Sequence, residues 1–205
     1  MAKIKLTKGE LKKQRDSLRQ FERYLPTLQL KKQQLQMEIL HWNALAEEKS
    51  RLENSKRIAV LSWAGLLAEQ GVFSAQWIAP LNIVTSFRNI AGVDLPVFET
   101  VEFAEAQYDL FLTPAWVDNA IDSLRELVSL TEEIRVIEQA VDTLKRELRI
   151  TAQRVNLFEK VKIPEAQEAI RKIKIYIGDQ MANAVGRCKI AKRKIEELDM
   201  AGVAG

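Results

Sequence analysis

Cysteine and histidine are almost absent from the sequence, with Cys188 and His41 the only residues of their kinds among 205. A single cysteine excludes an internal disulfide. One cysteine and one histidine are also too few for a multi-cysteine zinc site. No serine or cysteine has neighbours typical of a catalytic nucleophile. We therefore expect His41 to pack beside Trp42 on a helix and Cys188 to be a buried, inert thiol.

Glycine-rich phosphate loops are also missing, because neither GxxxxGK[ST] nor GxGxxG occurs. The adjacent acidic pairs Glu47-Glu48 and Glu132-Glu133 point to different faces of a helix, so we interpret them as solvated surface. The sequence therefore predicts a non-catalytic protein with no cofactor and no metal site.

Long apolar runs are missing too. The longest one covers residues 58–68 and is diluted by Ser62 and Gly65, whereas a membrane-spanning helix needs about 20 mostly apolar residues. The N-terminus also lacks the apolar centre of a signal peptide. We expect no direct membrane insertion.

Glycine and proline are few, at 8 and 5 residues, and helix-forming residues dominate. This composition predicts a mainly all-α fold. Charge is uneven along the chain, and it suggests three sections. Residues 1–60 are basic and are predicted as an N-terminal coiled-coil helix, 61–113 are acidic and form a central insert, and 114–205 form a C-terminal coiled-coil helix.

Apolar residues in the first and last sections recur at steps of three, four or seven, which is typical of a coiled-coil seam. Thr7, with Glu10 three residues later, predicts the start of the first helix, and Thr113-Pro114 predicts the start of the last. We interpret Pro26 as a bend. The predicted seam consists of Leu18, Phe21, Leu25, Leu28, Leu35, Ile39, Trp42, Ile134, Ile137, Val141, Leu144, Leu148, Val155, Phe158, Ile170, Ile173 and Ile177.

The simplest arrangement is a long antiparallel two-helix coiled coil with its chain ends level, so that Thr7 lies near Leu198 and Trp42 faces the Pro164 region. Basic residues near both termini would then form one positive tip. A solvated end, a nucleic-acid contact and insertion into an acidic protein cavity are all compatible with it. The predicted tip contacts are Lys12, Arg15, Arg19, Lys189, Lys192 and Arg193.

The insert has a different pattern. We predict a short helix over residues 58–70 that ends at Gly71, followed by a β-hairpin over 84–98 that turns around Ala91-Gly92. Pro96 limits the second strand to an edge. Because isolated hairpins are marginally stable, we expect this one to rest on a helix or on a partner.

Several stretches together resemble the D subunit of V/A-type (vacuolar/archaeal-type) ATPases. The RVN-x-x-E…IP signature of that family is matched by Arg154, Val155, Asn156, Glu159, Ile163 and Pro164. Its N-x-x-G-V-x-x-P hairpin is matched by Asn89, Gly92, Val93 and Pro96. The N-terminal Thr7-Lys8 with its leucine-rich helix and the basic C-terminal helix also agree, so that the similarity spans nearly the whole chain.

The resemblance implies the central rotor shaft of a rotary ATPase, which transmits torque between catalytic subunits and a membrane ring. The implied partners are the A and B subunits of the catalytic hexamer, the small F subunit of the rotor and the funnel-like subunit above the ring. The protein would be cytoplasmic and peripheral on the inner face of the cell membrane. The chain ends soon after the basic helix, from which we expect a bacterial or archaeal-type complex.

In this interpretation the tip residues meet the hexamer, and the hairpin residues Asn89, Gly92, Val93 and Pro96 belong to the docking end. No nucleic acid is then a partner. The alternative hypothesis is a free-standing coiled-coil adaptor or a nucleic-acid-binding hairpin that uses the basic tip.

Overall fold

The computed structural model describes residues 5–69, 72–109 and 113–202, with side chains as far as residue 197. The predicted helix end at Gly71 lies outside these ranges. The main elements are α1 (Lys8–Leu61), β1 (Pro80–Ile90), β2 (Val93–Phe103), α2 (Trp116–Leu157), a π-helical turn (Phe158–Lys162) and α3 (Ile163–Gly202). The predicted fold, mainly α-helical with a small central hairpin, is confirmed.

Helix α1 begins at its predicted cap and passes through a proline. The Thr7 hydroxyl accepts a hydrogen bond from the Glu10 N–H at 3.2 Å, which satisfies one of the free donors of the first turn. Pro26 lies inside the helix. A proline has no N–H to donate to the carbonyl four residues earlier, which here belongs to Glu22. The helix continues across this missing bond without interruption.

The second proline follows the π-helical turn, which joins α2 to α3. The N–H of Ile163 donates to the carbonyl of Phe158, five residues earlier rather than four. The wider turn accommodates one extra residue. Pro164 comes next, in the first turn of α3. It has no N–H to donate to the preceding turn, so one backbone hydrogen bond is missing where the helix already departs from the regular α-helical pattern.

The extra residue also corrects the phase of the apolar stripe. Continuing the three-four pattern beyond Phe158 in a regular helix would bring four residues to the seam, three of them charged: Lys162, Glu165, Ala169 and Lys172. A shift of one residue brings Ile163, Ala166, Ile170 and Ile173 there instead. Ala166, Ile170 and Ile173 are in fact buried, so the π-helical turn explains how the seam continues past Pro164.

Other boundaries differ modestly from the sequence prediction. α1 extends to Leu61, and the predicted short helix is reduced to a 3₁₀ helix, Ala64–Ala68. α2 begins at Trp116 rather than at Thr113-Pro114. The Thr113 hydroxyl donates to the carbonyl of Asp109 instead of capping α2.

The hairpin is longer than predicted and is antiparallel throughout. Its two-residue turn has φ of 53° at Ala91 and 75° at Gly92, the left-handed values that a type I′ turn requires. Asn89 supports the turn, because its side-chain oxygen accepts from the Gly92 N–H at 3.2 Å and its amide donates to Asp94 at 2.6 Å.

The chain divides into two compact units. The first combines Met1–Gln29 with Ala152–Gly205, and the second is Leu30–Thr151. Each unit contains part of α1 together with a part of the C-terminal half. These units are not the three consecutive sections that charge suggests, because each unit combines pieces from both halves of the sequence. The three sections therefore remain a prediction.

The core of the second unit joins both helices to the hairpin. One buried cluster consists of Leu35, Ile39 and Trp42 from α1, Ile137, Ala140, Val141 and Leu144 from α2, and Leu95 from β2. Around the turn, Ile90, Ala91, Val93 and Val97 pack against this cluster. The hairpin therefore rests on the helix pair, which supplies the apolar support that two strands alone lack.

Ion pairs connect the two helices beside this core. Lys31 Nζ lies 3.0 Å from Glu147, and Lys49 Nζ lies 2.8 Å from Glu133. Lys56 pairs with Glu126 in the same way. In these three pairs the residue number of the α2 partner falls as that of the α1 partner rises. The two helices are therefore antiparallel.

We expect Leu144→Ala to lower the free energy of unfolding by about 2–5 kcal/mol, because it leaves a cavity in the core. Leu144 is 0% exposed, whereas Leu40 is 70% exposed. Leu40→Ala is therefore the matched control and should have almost no effect. Urea denaturation followed by circular dichroism measures both, and equal midpoints would contradict the buried position of Leu144.

We also expect deletion of Val161, which is 39% exposed, to be tolerated. It converts the π-helical turn into a regular α-helical turn and keeps the downstream stripe on the seam. Deletion of Lys145, whose side chain is 57% exposed, should be far more harmful, because each missing residue of a regular helix rotates the following stripe by about 100°. Thermal melting of both variants is the test, and equal losses of stability would contradict the phase-correcting role.

Candidate functional surfaces

The predicted seam residues lie inside the two units. In the second unit Leu35, Ile39, Trp42, Ile137, Val141 and Leu144 are buried, and Ile134 and Leu148 are half-buried. In the first unit Val155, Ile170 and Ile173 are buried, and Leu18, Phe21, Leu25, Leu28, Phe158 and Ile177 are half-buried. A narrow apolar strip of this kind leaves the remaining helix faces mostly polar and solvated, with single exposed apolar side chains such as Leu40.

Within the first unit, the rings of Phe21 and Phe158 are in contact, with centroids 5.3 Å apart. Because the helices are antiparallel, residues before Phe21 lie level with residues after Phe158. At 1.5 Å per residue along each helix, the start of α1 is therefore level with the region of Ala166 to Ile173. Those two residues are among the last that are buried.

The predicted register is therefore wrong. Trp42 packs with Ile137, Ala140 and Val141 rather than facing the Pro164 region. The start of α1 does not reach the level of Leu198. A heptad stripe looks the same after a shift of seven residues, so periodicity alone could not fix the register.

Beyond the level of the start of α1, no other helix in the described ranges packs against α3. From Gly178 to Glu197 every side chain is exposed, although the three-four stripe continues. Cys188 is exposed as well, so the prediction of a buried thiol is wrong. Met181 and Ile195 are 60% and 59% exposed. No side chain in the described part of the protein covers them.

The predicted positive tip does not form as one cluster. Lys12, Arg15 and Arg19 are exposed on the paired part of the first unit. Lys189, Lys192 and Arg193 are exposed on the part of α3 that has no helical partner among the described residues. Lys192 and Arg193 form ion pairs with Glu196 and Glu197, four positions later. The two sets of predicted contact residues therefore lie at different positions along the helix axis of the first unit.

The predicted docking residues of the hairpin differ in their exposure to solvent. Asn89 and Gly92 are exposed, while Val93 and Pro96 are half-buried, and Val93 packs against the core cluster. Phe87, opposite Pro96 in the strand register, is 75% exposed. The outward face of the hairpin is therefore partly apolar and open to a partner.

At its base the insert is fastened to α2 by residues that sequence analysis missed. Arg125 donates hydrogen bonds to the carbonyls of Trp77 and Ala104. The Tyr108 hydroxyl donates to Asp118 in the first turn of α2, and this bond is the main reason that the pKa of Tyr108 is raised. The only clue in the sequence was that no Lys or Arg occurs between Arg88 and Arg125.

The described residues show no constellation for chemistry. No group of three or more His, Cys, Asp or Glu side chains among them could hold a metal ion. His41 is exposed rather than packed beside Trp42. Glu132 and Glu133 are half-buried rather than fully solvated, and Glu133 pairs with Lys49 across the helices.

Comparison with known proteins identifies the family. A family model for the D subunit of ATP synthase matches residues 10–193. The D subunit of the V-type ATP synthase from Borreliella burgdorferi is 46% identical over 195 residues, which cover 95% of this chain and 96% of the relative. The protein of the same name from Chlamydia caviae is 34% identical over 200 residues, covering 96% and 95%. This chain belongs to the family of ATP synthase D subunits.

The family motif of this chain, from Arg154 to Pro164, spans the π-helical turn. Val155 is buried and Ile163 is half-buried, whereas Arg154, Asn156, Glu159 and Pro164 are exposed. The apolar motif residues therefore lie at the seam and the polar ones face outward. Within the described ranges, no helix is long and apolar enough to cross a membrane.

We expect truncation of this D subunit after Asp179 to change its free energy of unfolding by less than about 0.5 kcal/mol, because the removed residues make only surface contacts. Ile173→Ala is the control at a side chain that is 0% exposed, and it should cost about 2–5 kcal/mol. Guanidinium denaturation compares the two. A large loss on truncation would contradict the unpartnered state of the α3 end.

Proposed function

We propose that this chain is the non-catalytic central-stalk subunit of a V/A-type rotary ATPase, and that it transmits torque between catalytic subunits and an ion-translocating membrane ring. The observation that carries the proposal is the 46% identity, over 95% of the chain, to the D subunit of a V-type ATP synthase. The region of similarity includes both helix pairs. Their narrow apolar seams suit a mechanical role.

The physical basis is the contrast between the seam and the outer faces. Apolar contacts hold the helices together, while exposed polar side chains allow rotation within a surrounding protein without strong adhesion. The ion pairs Lys31–Glu147 and Lys49–Glu133 add directional links across the second unit. A protein with this construction needs no catalytic residue of its own.

The partners follow from the same proposal. The unpaired end of α3 and the basic residues of the first unit would lie within the hexamer of A and B subunits. The small F subunit and the funnel-like subunit above the membrane ring would bind elsewhere on the stalk. The chain would then be cytoplasmic and peripheral on the inner face of the cell membrane.

The insert is the proposed docking end toward the membrane. At the end of α1, Ile58 and Leu61 are 70% and 64% exposed, and Leu81 in β1 is 70% exposed. Large apolar side chains that are this exposed are available for contact with a partner. The acidic charge of residues 61–113 would add selectivity for a basic partner surface.

The decisive experiment is reconstitution with purified A and B subunits and the small F subunit. We expect a stable complex whose ATP hydrolysis drives rotation of a bead attached to this chain. The isolated chain should hydrolyse no ATP. If the chain binds none of these subunits under conditions in which they assemble with a known D subunit, the proposal is refuted.

A charge-reversed variant tests the basic end of α3. We expect a triple change to Glu to weaken binding to the A and B hexamer about tenfold or more at low salt, because opposite charges at the interface become like charges. The changed residues are Lys189, Lys192 and Arg193.

The matched control is a triple change to Glu at three exposed basic residues of α2 in the second unit, Lys145, Arg146 and Arg149. It changes the net charge equally and should leave hexamer affinity nearly unaltered. Titration of labelled variants against the hexamer measures both affinities. Equal losses of hexamer affinity in the two variants would mean that binding depends on net charge alone and not on the end of α3.

A further inference from the structure

A single side chain of α2, Arg125, contacts both ends of the hairpin. Its Nε donates to the carbonyl of Trp77 at 2.9 Å, and its Nη2 donates to the carbonyl of Ala104 at 2.5 Å. Trp77 lies just before β1, and Ala104 follows β2 directly. One guanidinium therefore connects the two legs of the insert to the same turn of α2.

The chemistry of this contact requires arginine. A guanidinium is planar and presents its donors in fixed directions, whereas a lysine ammonium is a compact charge on a flexible stem. The Arg125 guanidinium also lies 5.3 Å from the centre of the Phe103 ring, within range of a cation–π contact. Three contacts in different directions fix the orientation of the base of the hairpin.

A small aromatic cluster supports the same region. Trp77 packs against Phe73 and Tyr108, with ring centroids 5.8 Å and 5.3 Å apart. Tyr108 in turn donates to Asp118 in the first turn of α2. Both segments that flank the hairpin are therefore connected to α2, and Arg125 is the side chain that contacts both.

The hairpin turn is held differently from the base. Around Leu95 the contacts with the helices are apolar, and apolar burial is not directional. Such packing opposes separation of the hairpin from the helices more than it opposes sliding along them. Resistance to sliding and rotation needs directional bonds, which Arg125 supplies at the base.

We propose that Arg125 is a positioning residue that locks the insert to α2, so that torque in the helix pair reaches the partner docked on the insert. This inference rests on the proposed function for its torque role, whereas the anchoring itself is a property of the isolated chain. The two parts can therefore be tested separately.

The anchoring is tested by hydrogen exchange on the isolated full chain. In Arg125→Met, we expect the amides of Trp77, Ile78 and the end of the hairpin near Phe103 to exchange about tenfold faster or more, as charge-assisted hydrogen bonds are lost. Arg125→Lys should give nearly the same increase, because it keeps the charge and loses the fork. Unchanged exchange at these amides would overturn the proposal.

The control is Arg146→Lys on the same helix. Arg146 is exposed and bonds only within α2, through its Nε to the carbonyl of Asp142 at 3.3 Å. It should leave exchange at Trp77 and Ile78 unaltered. Seam amides should keep wild-type protection in all three variants, and general loss of protection in the Arg125 variants would mean a global stability effect and overturn the positioning role.

The torque role is tested in the membrane-bound complex, reconstituted with each variant. We expect the Arg125 variants to retain ATP hydrolysis while the number of ions pumped per ATP falls, and Arg146→Lys to match the wild type. An unchanged ratio of pumping to hydrolysis would overturn the torque role. Failure of the wild-type chain to assemble would refute the proposed function instead, and the exchange measurement would still decide the anchoring.

Discussion

The fold depends on the pairing of helices from opposite halves of the chain along a narrow apolar seam. Neither α1 nor α2 has a core of its own, and most helical stability in proteins comes from packing of an apolar face rather than from intrinsic propensity. Pairing buries residues such as Leu35, Leu144 and Ile173, each 0% exposed. The polar outer faces can remain hydrated because the buried strip is so narrow, which suits a part that must move within its complex.

The insert depends on that pairing in turn. A two-stranded hairpin has too little core for stability, and here Leu95 completes a cluster that the two helices begin. Its base is held by polar contacts and its turn region by apolar ones. The insert can therefore keep a definite orientation on the helices while Phe87 and Leu81 stay exposed, as its proposed docking role requires.

Sequence analysis succeeded where one local physical rule was sufficient. Thr7 capped the first helix, the Ala91-Gly92 turn defined the hairpin, and apolar spacing selected side chains that are buried or half-buried. It failed where the answer depended on non-local geometry. The register was wrong because heptads are degenerate under shifts of seven residues, and Cys188 was misplaced as a direct consequence. Arg125 bonds to backbone carbonyls, whose positions no motif marks, and the absence of other basic residues since Arg88 does not say what it contacts.

The two prolines show that preserving the seam takes priority over preserving regular backbone hydrogen bonds. In α1, Pro26 directly follows the seam residue Leu25, so the lost bond lies toward the outer side and the stripe keeps its spacing. Before Pro164, one extra residue is absorbed in the π-helical turn, and the stripe is shifted back onto the seam. The backbone is irregular at both prolines, whereas the apolar stripe continues past each of them, and that stripe is what mechanical coupling between the helices requires.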